Sequence, residues 1–443
     1  MRRKDKAAAL LALAAMLLSP GCARRPRTLD GQLRRIMARY KVVGLSVAVV
    51  KGDSLVFSGG YGTRDVARRL PVDERTVYRI ASISKTVTTT ALMILWERGA
   101  FRLEDDVGGT LGFALRNPRF PEEPISFEKL LSHTSSLRDG AGYDAFLEAN
   151  YNRVPPPALR SLLGAGGEFF TADMFDNEKP PSAGHFHYAN VNFGIIGTLV
   201  ERLSGTRFDV FCRDNIFRPL GLAASFNVQD LPDINDVAAL YRNVKRRWTP
   251  QADDYGGVKP APRRIGDYVV GTNGVLFGPQ GGVRIGANDL ARFMIMLKNG
   301  GRLGSVRILG QAAVERMLEP VWTFDGSNGE DEAGVFRAYG LGYQRTGVLL
   351  PGQTLAGHSG NAYGLISGMY FSPAGDYGVV FIANGGVWGR EDRGWLGVEK
   401  DVVKACVDGL ADLPLRAAAP AKRLLYRGPR AVSVSHSLGL TLT

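Results

Sequence analysis

Two sets of strand-forming runs, one near each end of the chain, constrain the fold more than any other feature. GLSVAVVKGDSLVFSGG (44–60) is two β-branched runs joined at Lys51-Gly52-Asp53, the pattern of adjacent antiparallel strands. LISGMYFSP (365–373) and DYGVVFIAN (376–384) repeat that pattern near the other end, around the turn Pro373-Ala374-Gly375. The long middle, about 100–335, shows helical periodicity and loops instead. ISFEKLLSH (125–133), VNFGIIGTLVERLSG (191–205) and ANDLARFMIMLKNGG (287–301) are its clearest helices, the last two closing on glycine. LDGQLRRIMAR (29–39) is an amphipathic helix with Leu29, Leu33, Ile36 and Met37 on one side, and VEKDVVKACVDGLADL (398–413) is a final helix. Strands from both ends enclosing a helical insert predict an α+β unit: an antiparallel sheet built from both chain ends and flanked by helices, a helical lobe, and a cleft between the two. No internal repeat is present.

The formal charge of +12 raises the question of nucleic acid, and its location answers it. Residues 1–27 carry seven basic side chains and one acidic, and residues 413–443 carry five basic and none acidic. Residues 28–412 are left with a net charge of only +1, which excludes a nucleic-acid surface on the body of the protein. MRRKDK (1–6) followed by the apolar run AAALLALAAMLL (7–18) has the form of an export signal, with an apolar stretch too short for a comfortable membrane span. The following Ser19-Pro20-Gly21-Cys22-Ala23 resembles the lipobox of bacterial lipoproteins; Gly21 fits its small position and Pro20 departs from it. The expectation is a signal over 1–21, lipidation at Cys22, a linker over 22–29, one domain over 30–412 and a basic tail over 413–443. Cys22 as an incidental cysteine of a secreted protein is the alternative. Lipidation would hold the protein on a membrane, periplasmic or on the outer surface, with Arg24, Arg25 and Arg27 beside anionic headgroups. Cys212 and Cys406 could pair in an oxidising compartment, and unpaired core cysteines are the favoured reading.

A short strand, Thr76 to Ile80, runs into a helix over 84–98 that carries Val87, Ala91, Leu92 and Leu95, so Ser82-Ile83-Ser84-Lys85 sits at a strand-to-helix junction. The three-residue spacing places Ser82 and Lys85 on one helix face, and at a helix start the Ser82 backbone N–H is free to bind a developing oxyanion. Both features serve acyl transfer. The same spacing recurs at Ser126-Phe127-Glu128-Lys129, where the serine precedes an apolar-periodic run and serves as an N-cap with Lys129 pointing to solvent. A lysine is a base only when neutral, and bringing its pKa from about 10.4 to near 7 costs about 4–5 kcal/mol, so partners are required.

AGHFHYANVNFGIIG (183–197) places Tyr188-Ala189-Asn190 before a helix, and LAGHSGNAYG (355–364) places His358-Ser359-Gly360 before a strand. Taken in order, Ser82-x-x-Lys85, Tyr188-x-Asn190 and His358-x-Gly360 resemble the three motifs of the penicillin-recognising serine hydrolases: class C β-lactamases, D-alanyl-D-alanine carboxypeptidases, D-aminopeptidases and related esterases. The likeness runs over about 30–412, with LLSHTSSL (130–137) and PQGGVRIGANDLARF (279–293) similar to flanking pieces of the family.

The resemblance implies a β-lactamase/transpeptidase-like fold in which Ser82 forms the acyl-enzyme and Lys85 takes its proton. Tyr188 would share base duty and protonate the leaving group. Asn190, His358, Gly360 and Asn361 would bind substrate, with Asn190 holding Lys85 and a substrate amide, and with the N–H groups of Ser82 and Asn361 as the oxyanion hole. It implies no metal and no cofactor. Lactamases of this group usually carry Lys-Thr-Gly where this chain has His358-Ser359-Gly360. A histidine with pKa near 6.5 is mostly uncharged at neutral pH and holds a carboxylate less firmly. Ser136 stands where the family often has glycine, which bears on the shape of that loop. His185 and His187 have no third metal ligand at suggestive spacing, His133 reads as a structural hydrogen-bonder, and neither a Gly-x-Ser-x-Gly elbow, a P-loop nor an HExxH helix occurs. The expected activity is hydrolysis of D-amino-acid peptides of the cell wall or of small esters through an acyl-enzyme. A class C-like β-lactamase, or a weakly catalytic penicillin-binding protein that holds wall peptides, are the alternatives.

Overall fold

The computed structural model describes residues 28–389 and 394–413. The export segment, Cys22 and the tail beyond 413 lie outside the described residues. No helix among the described residues is long and apolar enough to cross a membrane.

The two predicted hairpins meet in one antiparallel sheet. β1 (Gly44–Lys51), β2 (Ser54–Asp65) and β3 (Leu70–Pro71) come from the N-terminal side. β10 (Trp322–Thr323), β11 (Ala338–Tyr339), β12 (Gln344–Thr346), β13 (Leu355–Ala362), β14 (Leu365–Phe371) and β15 (Tyr377–Ala383) come from the C-terminal side. Their spatial order is β10-β11-β12-β13-β14-β15-β1-β2-β3, so the first strand lies against the last, in the register Val47↔Phe381 and Val49↔Val379. Between the two sets come β4 (Val77–Arg79), β5 (Leu240–Val244), β6 (Arg247–Ala252), β7 (Arg284–Gly286) and a minimal hairpin of β8 (Arg302–Leu303) and β9 (Val306–Arg307).

Both faces of the sheet are covered, which is why β1 and β14 read as almost continuous apolar runs. Leu45, Val47, Val49, Ile366, Tyr370 and Phe381 point to one face. There α1 (Leu29–Tyr40) buries Leu29, Leu33, Ile36 and Tyr40, and the final helix α6 (Gly397–Asp408) buries Val402 and Val403. Ala48, Val50, Met369, Val380 and Ile382 point to the other face and share a core with α5 (Ala287–Lys298) and with α2 (Ser84–Glu97). The helical lobe stands beyond it, around α3 (Phe127–Leu131) and α4 (Asn190–Ser204). Cys212 and Cys406 are buried, free thiols in the cores on opposite sides of the sheet, which accounts for their being unpaired.

The strand that leads to Ser82 does not join the main sheet. β4 forms a two-stranded ladder with β7, in a register that sets Arg79 opposite Arg284. Like charges facing across a ladder repel, and here a carboxylate reconciles them. Asp253, buried in a left-handed backbone conformation, bonds Arg79 at 3.1 Å and Arg284 at 2.8 Å. Burial by itself raises the Asp253 carboxyl, but the charges of Arg284 and Arg79 outweigh it and hold the group below its ordinary value.

Asp253→Asn leaves two guanidinium groups facing each other without their counter-charge, and should lower the unfolding free energy by about 3–5 kcal/mol in urea titrations. Because the folded-state pKa is depressed, this contribution is present above the ordinary value of 3.8 and is lost as the pH falls below it, so the gap between parent and variant should close in acid.

Candidate active site

The nucleophile-bearing turn is clamped from three sides. After Ile80 the chain passes through Ala81 at φ +49°, a conformation costly for any residue with a Cβ, into a single 3-10 turn, Ala81–Ile83, and then α2. Ser84 Oγ accepts the Val283 N–H at 3.1 Å, and Ser367 Oγ donates to the Ile80 carbonyl at 3.2 Å. On the third side β13 comes so close that a Cβ on Gly360 would lie 2.4 Å from both Ile80 O and Ser367 Oγ. The turn leaves Ser82 partly exposed and Lys85 fully buried.

Lys85 Nζ reaches Ser82 Oγ at 3.1 Å, Asn190 Oδ1 at 2.8 Å and the Gln280 carbonyl at 3.1 Å. Carbonyl oxygens only accept, so Asn190 and Gln280 each take an N–H from the nitrogen. A neutral amine has two hydrogens to give, and both partners are then satisfied with the lone pair left facing the serine hydroxyl. Burial drives the Lys85 pKa down from 10.5 to about 7, with the carboxylates of Asp139 and Glu332 acting in the opposite direction. Tyr188 completes the group. Its ring centroid is 4.7 Å from Lys85 Nζ, and burial holds its phenol protonated, well above its ordinary value, with Ser82 as its hydrogen-bond partner.

His133 is the structural hydrogen-bonder expected: Nδ1 accepts from the Ala189 N–H at 3.2 Å and from Asn192 Nδ2 at 3.1 Å, and the ring lies 4.4 Å from that of Tyr188. Ser136 adopts φ +61°, the conformation that favours glycine, and keeps it with Asn117 Nδ2 donating to its hydroxyl at 3.1 Å. His187 faces Glu330 at 2.9 Å.

Ser82 and Tyr188 open into a cleft of about 650 Å³ that His358, Ser359 and Asn361 also line, with Phe336 and Trp395 among the apolar residues of its wall. The role implied for His358 as a carboxylate anchor needs correction. His358 Nδ1 donates to the Ser359 carbonyl at 2.6 Å, so Nε2 must accept from the Tyr339 hydroxyl at 3.0 Å, and neither nitrogen is left for a substrate carboxylate. Burial, then the nearby Lys85 charge, push its pKa to about 3, far below the 6.5 expected, and the ring is neutral throughout the physiological range. Gly360, between Ser359 and Asn361, has a packing role: its bareness lets β13 press on the nucleophile turn. Asn190 holds Lys85 as expected, giving its oxygen to the amine at 2.8 Å and an amide hydrogen to Asp139 at 2.8 Å.

Asp139 escaped the sequence reading altogether. Its carboxylate caps α4, accepting the Asn190 and Val191 N–H groups at 2.9 Å each, and so orients the amide that holds Lys85. The rival serine is a cap, as expected: Ser126 Oγ accepts the Lys129 N–H at 3.3 Å. Lys129 does not point to solvent, however. It is half-buried and donates to the Pro181 carbonyl at 2.6 Å, away from Ser126.

The model of the Beta-lactamase family matches residues 29–404. Penicillin-binding protein 4 of Amycolatopsis lactamdurans is 28% identical over 361 residues, 80% of this chain and 83% of that protein. The chain spans only 36% of the length of the Staphylococcus aureus protein flp, to which it is 24% identical over 193 residues, 43% of this chain. The octameric penicillin-binding protein homologue from Pyrococcus abyssi superposes with a TM-score of 0.64 at 24% identity, covering 86% of this chain and 77% of that one. D-amino acid amidase from Ochrobactrum anthropi superposes with a TM-score of 0.62 at 20% identity, covering 87% and 98%. These two superpositions show a shared fold, the β-lactamase/transpeptidase-like architecture expected.

Gly360→Ala forces the turn and the strand apart and should cost about 1–3 kcal/mol in thermal unfolding. A variant as stable as the parent would show that the close approach of β13 to Ile80 is not needed.

Proposed function

The chain belongs to the Beta-lactamase family, and on that ground together with the cleft geometry we propose that it is an exported serine hydrolase that acylates Ser82 with small amides or esters of D-amino acids. The observation that carries this reading is a buried Lys85 amine, with a pKa of about 7, lying 3.1 Å from a serine hydroxyl that opens into the cleft.

In the proposed reaction Ser82 Oγ attacks the substrate carbonyl while its proton passes to the Lys85 lone pair. The oxygen turns negative against the N–H groups of Ser82 and Asn361, each donor of this kind being worth about 3–4 kcal/mol in the transition state. Because Tyr188 is held as a phenol, base duty falls to Lys85. Tyr188 donates its proton to the departing amine or alkoxide and regains one from the Lys85 ammonium, which restores the neutral amine; water then attacks the acyl-enzyme, its proton is taken by the same groups, and Ser82 leaves reprotonated as the acid is released. The neutral, fully bonded ring of His358 favours a peptidase or esterase over a β-lactamase, since the cleft then lacks the lysine charge that lactamases of the family place there. The Ochrobactrum anthropi amidase supports the D-amino-acid class in kind. Residues 1–21 as an export signal and lipidation of Cys22 belong to the same proposal, on the sequence pattern of that segment.

The test is to treat the full chain with a fluorescent penicillin and a fluorophosphonate and to follow intact mass with time. Labelling by the fluorophosphonate with little or no penicillin adduct is expected; rapid turnover of penicillin would indicate a lactamase, and a lasting penicillin adduct alone a slow recogniser. Ser82→Ala should abolish the label and Ser126→Ala should leave it, the reverse assigning the chemistry to the wrong serine. The rate of labelling should climb as the pH rises through about 7 and level off above it, because the amine works only when unprotonated. His358→Lys should raise the affinity for substrates bearing a free carboxylate about tenfold relative to their esters. An unchanged ratio would remove position 358 from substrate selection.

A further inference from the structure

We propose that the β5–β6 hairpin and the groove beside it form a docking site for anionic phospholipid, by which the protein lies on a membrane surface independently of any covalent anchor. The hairpin closes on Lys245 and Arg246, paired across its end by Val244↔Arg247. Both turn residues are left-handed, at φ 48° and 65°, the geometry of a tight hairpin turn that Asn-Gly ordinarily fills. Two long basic side chains are held there against backbone preference.

The surroundings agree with that reading. Lys41, Arg246 and Trp248 line one groove of about 730 Å³ together with Met37, Val42 and Val387. Arg242, Lys245 and Arg247 stand exposed on the same hairpin. Among the described residues none of these five cations has a carboxylate partner, whereas the neighbouring Arg39 pairs with Asp401 at 3.0 Å. Residues 28–412 carry a net charge of only +1 with these five cations included, so five charges without a carboxylate partner at one corner are a local concentration.

Apolar groups sit among them. Val244 at the hairpin tip is 45% exposed and Val387 at the groove is 46% exposed, and Trp248 is half-buried between the cations and the groove floor. A soluble polyanion needs only the charges. Cations, an indole and exposed valines on one tip suit the boundary of a bilayer, where phosphates meet the basic groups and the apolar groups sink to the level of the acyl chains.

The experiment places the full chain on vesicles of dibrominated phosphatidylcholine with and without phosphatidylglycerol and reads tryptophan quenching, the contribution of Trp248 being the difference from Trp248→Phe. Trp248-dependent quenching is expected only when the anionic lipid is present, and should fall away in high salt. Replacing Lys245, Arg246 and Arg247 together by glutamate, which adds no backbone strain and is checked by an unchanged melting temperature, should reduce that quenching at least about tenfold. Quenching that does not depend on Trp248, that is equal on neutral vesicles, or that survives the charge reversal overturns the proposal. So does protection of Trp248 by soluble polyphosphate that exceeds its response to anionic vesicles.

Discussion

The uncharged amine of Lys85 is the constraint around which the rest of the structure is arranged. An ammonium at that depth, exchanged from water, raises the free energy of the folded state by about 4–5 kcal/mol at neutral pH, and the fold must supply that from elsewhere. The sign of the linkage follows from the direction of the shift. Between about 7 and 10.5 the unfolded chain holds a proton on this lysine that the folded chain does not, so stability gains from this group as the pH rises through that interval. What offsets the cost is a closely packed polar cage made of Asn190 Oδ1 and the Gln280 carbonyl, with aromatic rings from Tyr188 and Phe193 over the nitrogen.

That cage brings Asn190 and Gln280 to Lys85 from 105 and 195 residues further along the chain, and small backbone devices bring the segments together. Arg79 and Arg284 share Asp253, which anchors the short strand ahead of the nucleophile outside the main sheet. Ala81 turns the chain, and Gly360 lets the strand β13 close on it. Asp139 holds the start of α4 and so turns the Asn190 oxygen toward Lys85. None of these groups is the nucleophile or its base, yet each helps to set where the Ser82 hydroxyl and the Lys85 nitrogen meet.

The cleft itself owes its electrostatic character to hydrogen-bond bookkeeping rather than to composition. His358 lies on the cleft wall, and a histidine there could be a charged anchor. Its proton is committed to the Ser359 carbonyl and its other nitrogen to Tyr339, and that pair of bonds together with burial keeps it neutral. The same logic separates the two Ser-x-x-Lys motifs: spacing alone makes them equal, while the partners of each lysine make one a buried base and the other a strut to Pro181.

Period and order along the chain determined the two hairpins near its ends, the helices α1, α4, α5 and α6 and the strand-to-helix junction at Ser82, because alternation, helical periodicity and short-range spacing are local properties that any fold must respect, while the trio of motifs was legible through its resemblance to a family. Tertiary structure alone decided that Asp139 is the support of Asn190, that Gly360 serves packing, that Lys129 is tied to Pro181 and that His358 is spent on Tyr339. Those facts depend on which distant groups arrive within about 3 Å of one another, and a hydrogen bond between residues far apart in the chain leaves no periodic trace in the sequence.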